Sequence, residues 1–167
     1  MTRYIRNLSV FTFCFLGMLP VAYAQAPSPE MEKRLLLFTH YIATSINTYS
    51  PEDAAAISAK VMSFAVGSEK TSLREFLESQ AAYIIREGIT SDYEPRATSF
   101  KITVHEGNPP TYTTSMRGKR TATLVFEGKE MQTNDLMGVE LDVASFKTSA
   151  ANPFGLILTA YREDVLE

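Results

Sequence analysis

The spacing of hydrophobic residues changes once along this chain, and that change limits the folds it can adopt. Up to Gly88 the apolar residues recur every three or four positions, as on one face of an α-helix. From Thr98 onward they recur at every second position, as in a half-buried β-strand. Helices followed by consecutive strands, without a helix between the strands, favour an α+β fold over an alternating α/β fold. We expect a curved antiparallel sheet packed on the helices.

Three segments of the first half carry helix start signals. Ser28-Pro29-Glu30 combines a capping hydroxyl, a proline and an early acid, which predicts a first helix. The same signal at residues 50–53 predicts a second helix of about four turns that ends near Gly67. Ser72 has capping-box spacing to the glutamate three residues later and predicts a third helix that ends before Gly88. The predicted buried positions are Met31, Leu35, Phe38, Ile42, Ile46, Ala54, Ile57, Val61, Phe64, Leu73, Phe76, Leu77, Ala81 and Ile84.

The second half predicts five strands. Gly118, between two basic residues, predicts a tight turn that joins the second and third strands in a hairpin. Glu127-Gly128-Lys129 predicts the next turn. The alternating positions are Phe100, Ile102 and Val104, then Tyr112, Thr114 and Met116, then Ala122, Leu124 and Phe126, then Val139, Leu141 and Val143, and finally the run Leu156–Tyr161.

The turn before the last predicted strand is the clearest in the chain. Pro153 fixes its own φ and biases Asn152 towards an extended conformation. Gly155 can adopt backbone angles that other residues avoid. The sequence therefore predicts a sharply defined start for the final strand, and a structural role for this turn.

Residues 1–24 have the pattern of a secretory signal. Two arginines precede the apolar run Leu8–Leu19, and Ala22-Tyr23-Ala24 places small residues where a signal peptidase reads them. We expect cleavage before Gln25. The alternative is a retained membrane anchor, which needs about 20 apolar residues to cross the hydrocarbon core. Either interpretation predicts export.

Residues 25–28 are predicted to be a linker, and residues 29–167 a single periplasmic domain. Cleavage would remove two arginines and change the formal charge from −3 to −5, which argues against direct nucleic-acid binding. Cys14 is the only cysteine and lies within the signal segment, so the mature domain would contain no disulfide and no cysteine metal ligand.

The sequence contains no established catalytic template. It lacks a Gly-x-Ser-x-Gly elbow, a phosphate loop, a dinucleotide fingerprint and a His-Glu-x-x-His helix, so we expect no enzyme activity, metal or cofactor. His40 and His105 have no ligand-like neighbours. An acid/base role for His105 would require a pocket and an orienting partner. An exposed position at a strand end is the simpler interpretation.

The one candidate interaction cluster is basic. Arg117, Lys119 and Arg120 surround the predicted hairpin turn, and Tyr112 lies on the strand before it. The basic residues could bind an acidic partner, but charged residues at a turn more often serve only solubility. Tyrosine is enriched at protein interfaces.

The chain also resembles a known family. The stretch Asn152–Asp164, an Asn-Pro-x-Gly turn followed by an apolar strand and a polar tail, resembles the end of the periplasmic domain of the eighth VirB component of type IV secretion systems. The helix start at residues 49–52, the helix through residues 84–86 and the strand residues 116–118 resemble the related TraE-type conjugal transfer proteins. The resemblance covers residues 45–164.

The resemblance implies a nuclear transport factor 2-like fold, a homodimer, and a non-catalytic assembly role in contact with other secretion-channel proteins at the inner membrane. By the same resemblance, Asn152, Pro153 and Gly155 shape a turn needed for structure or assembly, and no residue is catalytic. The chain departs from the family at its N-terminus, since family members usually have a cytoplasmic segment and an uncleaved transmembrane helix.

Two other functions remain open at the level of sequence. The chain could be an exported small-molecule-binding or isomerase-like protein with a cone-shaped pocket, which requires a deep cavity lined by convergent polar groups. It could also be an exported inhibitor or an adhesin-like module.

Overall fold

The structure is a computed structural model that describes residues 26–67 and 69–166. The predicted signal segment, residues 1–24, lies outside this part of the chain. The helices are α1 (Pro29–Asn47), α2 (Ala54–Met62) and α3 (Glu69–Glu87), and the strands are β1 (Thr90–His105), β2 (Thr111–Phe126), β3 (Lys129–Ser145) and β4 (Leu156–Leu166).

The sheet is antiparallel, and its four strands lie in the order in which they follow one another along the chain. Strands β1 and β4 form its edges. The predicted α+β architecture, with three helices before an antiparallel sheet, is confirmed. The inner face of the sheet, which we define as the face that packs on the helices, buries Leu141 and Val143 against Phe38 and Leu35 of α1.

Helix α1 begins as the sequence predicts. Ser28 is its N-cap, and the Ser28 hydroxyl accepts a hydrogen bond from the Met31 amide at 3.2 Å. Pro29 occupies the first turn, where no backbone donor is needed. The helix buries the predicted apolar face and also Thr39, whose hydroxyl donates to Thr114 of β2 at 2.7 Å.

The other two helices differ from the prediction at their ends. Helix α2 has only nine residues because residues 51–53 form a turn, in which the Ser50 amide donates to the Asp53 carboxylate. It ends at Met62 rather than near Gly67, because the following residues reach across to β4. Helix α3 begins at Glu69, so Ser72 lies inside the helix and not at its cap.

The predicted turn at Gly118 is wrong. Strand β2 runs without a break through Gly118, which pairs with Pro95 on one side and Met137 on the other. A Cβ atom at Gly118 would lie 2.4 Å from the Tyr93 ring. The glycine therefore makes room for a buried tyrosine on the neighbouring strand. The sheet consequently has four long strands and not five.

Two strands also begin earlier than their apolar pattern predicts. Strand β1 starts at Thr90 rather than near Thr98, and β3 starts at Lys129 rather than near Val139. Their additional residues are mostly polar. Hydrogen bonds to β2 hold these segments in the sheet, and a backbone ladder requires no apolar side chains.

The turn predicted at residues 127–129 is present and produces a long arm. Glu127 and Gly128 both have positive φ, 50° and 74°, as a two-residue hairpin turn of type I′ requires. Strand β1 pairs with β2 only as far as Thr123, and β4 pairs with β3 only from Leu136 onward. Residues 124–131, which we call the hairpin tip, therefore form a two-stranded projection.

Candidate functional site: the terminal turn and the surfaces around it

The turn before β4 is closed by its own hydrogen bonds. The Asn152 side chain accepts from the Gly155 amide at 3.1 Å and donates to the Leu156 carbonyl at 2.9 Å. The Asn152 amide donates to the Ser149 hydroxyl at 3.1 Å. One asparagine side chain thus joins both ends of the turn, which explains why this residue type occurs here.

Arg34 of α1 connects this turn to the helical layer. Its Nε and Nη2 atoms donate to the Phe154 carbonyl at 2.9 and 2.6 Å, and Nη2 also donates to the Gly155 carbonyl at 3.1 Å. These bonds join residues about 120 positions apart in the sequence. Because the donor is charged and the site is partly buried, they should be stronger than ordinary hydrogen bonds.

Phe154 extends the turn into the core. Its ring centroid lies 5.4 Å from those of Phe38 and Tyr41 on α1 and 6.1 Å from that of Phe64 after α2. Such distances are typical of favourable aromatic pairs. The residue that the Asn-Pro-x-Gly pattern leaves variable is thus the one that anchors the turn in the core.

Gly155 is required for two separate reasons. Its φ is +59°, as the predicted turn requires. A Cβ atom there would also lie 2.5 Å from both Arg34 Nη2 and Thr148 Cγ2. Pro153 is exposed beside these contacts. The contacts of Asn152, Phe154 and Gly155 hold the turn against α1 and the core, and the role of the turn in structure or assembly stays a prediction.

The four predicted interaction residues do not share one surface. Tyr112 is buried in the core on the inner face of the sheet. Arg120 also lies on that face and forms an ion pair with Asp135 at 2.8 Å. Arg117 and Lys119 are exposed, on the opposite, outer face. Residues that surround a tight turn would cluster, but in a continuous strand successive residues point to opposite faces.

The outer face carries a ladder of polar side chains across all four strands. His105 shares a hydrogen bond of 2.7 Å with the Thr113 hydroxyl. That hydroxyl donates to the Asp142 carboxylate at 2.7 Å, and the same carboxylate accepts from Arg162 at 2.8 Å. Arg162 also binds Glu140 at 2.8 Å. His105 is exposed at the last residue of β1, so the structure places it at a solvated strand end. Partial burial acts to raise the pKa of Asp142, but the bonds from Thr113 and Arg162 outweigh it and lower that pKa.

A groove of about 270 Å³ lies between the start of α3 and β4. Phe76 of α3 and Tyr161 of β4 line it, with ring centroids 5.9 Å apart. Glu163 is at its polar end and accepts a hydrogen bond from the Tyr161 hydroxyl. Burial, reinforced by the Glu163 charge, raises the pKa of Tyr161 well above its ordinary value and that of Tyr93 to about 12. The sequence prediction missed this groove, because Glu163 appeared to belong to a polar tail.

Two further properties concern the described residues alone. Within residues 26–67 and 69–166, no group of three or more His, Cys, Asp or Glu side chains is arranged to hold a metal ion. None of the helices in that part of the chain has both the length and the hydropathy needed to cross a bilayer.

Solved structures of three other proteins share this arrangement of helices and strands. VirB8 of Agrobacterium tumefaciens has a TM-score of 0.57 at 15% identity, over 85% of this chain and 98% of that protein's chain. CagV, a VirB8 homologue of the type IV secretion system of Helicobacter pylori, has a TM-score of 0.59 at 11% identity, over 79% and 98%. The chain has the fold of VirB8-like periplasmic domains.

The third structure with the VirB8-like fold is the TraE protein in complex with 2-chloroisonicotinic acid, with a TM-score of 0.57 at 11% identity, over 86% of this chain and all of that one. No protein-family model and no curated protein matches the sequence. The resemblance predicted from the terminal turn and strand is thus confirmed at the level of the fold. The three named structures align over nearly their whole length, and the likeness covers most of the described chain.

Proposed function

We propose that this protein is a non-catalytic periplasmic assembly component of a type IV secretion or conjugal transfer system, and that it acts as a homodimer through protein–protein contacts. The VirB8-like fold carries the proposal. The export signal predicted for residues 1–24 agrees with a periplasmic location, with or without association with the inner membrane. The nuclear transport factor 2-like classification belongs to the same proposal.

The hairpin tip supports a role in protein contacts. Val125, Phe126 and Met131 are each more than half exposed. Phe126 lies on the same side of β2 as the buried Met116, since β2 pairs with β3 without a register shift, so the tip continues the inner face beyond the helices that cover it. Met131 pairs with Leu124 and so lies on that same face, whereas Val125 lies on the opposite one. Exposed apolar residues side by side, such as Phe126 and Met131, are typical of interaction sites.

The orientation of the domain places this tip far from the N-terminus. Arg34, near the start of α1, contacts the turn before β4, whereas Tyr49, just after α1, pairs with Ser91 beside the base of the hairpin. A helix of 19 residues spans about 28 Å at 1.5 Å per residue. Should the chain be held at a membrane by its N-terminus, the tip would face away from that membrane, towards other proteins.

The small-molecule alternative finds less support in the described residues. Phe38, Met137 and Leu141 fill the space between α1 and the centre of the sheet, where a cone-shaped pocket would lie. The groove beside β4 is about 270 Å³, just below the range of about 300–1,000 Å³ usual for ligand pockets. A wider groove of about 720 Å³ lies between α2 and α3, but no residue of the sheet lines it, so it is not the cone-shaped pocket of this alternative. Because side chains fill the space between α1 and the centre of the sheet, these residues are better suited to stabilising the fold than to binding a substrate.

A deletion strain tests the proposal. We expect loss of DNA transfer or protein secretion, restored by the wild-type gene, and co-purification of the protein with secretion-channel proteins. A complementing gene that carries Phe126→Thr and Met131→Thr should yield folded protein at normal abundance but restore transfer poorly. Arg96→Thr with Lys101→Thr, two exposed changes elsewhere on the sheet, serves as the matched control. Normal transfer and secretion in the deletion strain would refute the proposal.

A further inference from the structure

Strand β4 is an edge strand whose free side is only partly covered. Before α3, the Phe64 carbonyl accepts from the Leu158 amide at 2.8 Å, and the Val66 amide donates to the Leu158 carbonyl at 3.3 Å. This bridge at Ala65 is parallel to β4, and the chain then turns away at Gly67, where φ is +72°. The chain thus begins to add a strand to β4 and leaves after one residue pair.

Beyond Leu158 the same edge is open. Among the described residues, no backbone group outside the sheet forms a hydrogen bond with β4 after that residue. An edge strand presents unpaired N–H and C=O groups at alternate residues and can accept another chain as an added strand. The groove described above runs along this open edge, since Leu158, Thr159, Ala160 and Tyr161 line it in succession.

The groove has one charged end. Glu163 is its only charged lining residue, and within residues 26–67 and 69–166 no Lys or Arg forms an ion pair with it. The remaining walls are largely apolar, with the rings of Phe76 and Tyr161 next to the carboxylate. Aromatic faces and a carboxylate both attract a cation. The lining of this groove is therefore suited to a Lys or Arg side chain, whose apolar stem would contact the apolar walls and whose charge would meet Glu163.

We propose that the β4 groove binds an extended segment of a partner protein, which adds to the β4 edge as a strand and places one basic side chain against Glu163. This rests on the proposed assembly function and specifies the partner class. A second copy of this chain fits less well. Antiparallel pairing of two β4 strands centred on Arg162 or Glu163 would set like charges opposite each other, which destabilises a sheet.

Selection of peptides on the purified full chain tests this inference. A random-peptide phage library should be selected in parallel on the wild type, on Glu163→Gln and on Asp164→Asn. Glutamine can still accept from the Tyr161 hydroxyl, so Glu163→Gln should fold normally. Asp164→Asn removes the same charge from the neighbouring exposed residue. We expect the wild type and Asp164→Asn to enrich peptides with one Lys or Arg among β-branched or apolar residues, and Glu163→Gln to lose that preference.

A synthetic copy of the enriched peptide completes the test. Its Kd should rise about tenfold or more with Glu163→Gln, as expected for a charge-assisted hydrogen bond, and stay within about twofold with Asp164→Asn. N-methylation of alternate peptide amides should abolish binding, because an added strand needs those donors. Equal affinity of the peptide for the wild type and for Glu163→Gln would overturn the proposal. Unchanged binding after N-methylation of either set of alternate peptide amides would also overturn it.

Two other outcomes would also overturn it. Enrichment of peptides without a basic residue would show that the carboxylate does not select the ligand. Dimerisation of the wild type that Glu163→Gln abolishes, measured by light scattering, would assign the groove to a second copy. These results are independent of the deletion strain: loss of transfer on deletion together with no peptide binding would remove this inference alone and leave the assembly function standing.

Discussion

The two ends of the sheet differ in how their apolar residues are used. At the turn end, Phe154 is held by three aromatic rings, and the backbone around it is fixed by Arg34. At the other end, Phe126 projects on a two-stranded hairpin with more than half of its surface exposed. The same residue type thus stabilises the domain at one end and is available for contacts at the other. The turn end should govern stability, and the tip should govern association.

Gly155→Val should produce the largest loss of stability. A β-branched residue at φ +59° is strained by about 1–3 kcal/mol, and its Cβ would also collide with Arg34 and Thr148. We expect a total loss of about 3 kcal/mol or more in the free energy of unfolding, measured by denaturant titration. Gly67→Val is the matched control, because φ there is +72° but a Cβ would meet nothing within 4 Å. Equal losses in both variants would mean that the contacts around Gly155 contribute nothing.

Arg34→Met should cause the next largest loss of stability. It keeps much of the apolar stem but removes three hydrogen bonds to the Phe154 and Gly155 carbonyls. We expect a loss of about 2 kcal/mol, in the range for bonds to a charged donor. Lys33→Met, on the adjacent exposed position of α1, should change thermal stability by less than about 0.5 kcal/mol. A similar small effect for Arg34→Met would show that the turn end is held by its aromatic contacts alone.

Gly118→Ala lies between the two ends and should have an intermediate effect. The added methyl group would overlap the buried Tyr93 ring, and overpacking of this kind costs about 1–3 kcal/mol. The double variant with Tyr93→Leu should recover part of the loss, because the aromatic ring that meets the new methyl group is gone. Thermal unfolding of the four proteins of this cycle measures the coupling. Strictly additive losses would contradict the explanation given for this glycine.

Phe126→Thr at the hairpin tip should have the smallest effect. A side chain that is more than half exposed contributes little, so we expect a change within about 0.5 kcal/mol in the free energy of unfolding. Phe154→Thr at the turn end is the direct comparison and should cost about 3 kcal/mol or more, as for other large aromatic residues removed from a core. A large loss for Phe126→Thr would remove the distinction between the two ends.

The sequence predicted the elements whose signals are local. The cap at Ser28, the turn at Glu127-Gly128 and the positive φ of Gly155 depend on a few neighbouring residues, and all are present. The strand boundaries were less accurate, because the polar ends of β1 and β3 are held by ladder hydrogen bonds that leave no mark in the side-chain pattern. The exposed tip could not be predicted either, since Phe126 has the same alternation as the buried Met116.

Gly118 shows most clearly what depends on distant parts of the chain. A glycine between two basic residues has the local signature of a turn, and only the ring of Tyr93, 25 positions earlier, explains why a strand needs one there. The groove beside β4 has the same origin, since Phe76 and Glu163 come together only when α3 packs on the sheet. The sequence alone determined that three helices precede the strands, and it determined the final turn, because hydrophobic period and backbone restriction act over a few residues. Tertiary structure decided which face each residue occupies and which apolar residues remain uncovered, because those depend on contacts between segments far apart in the chain.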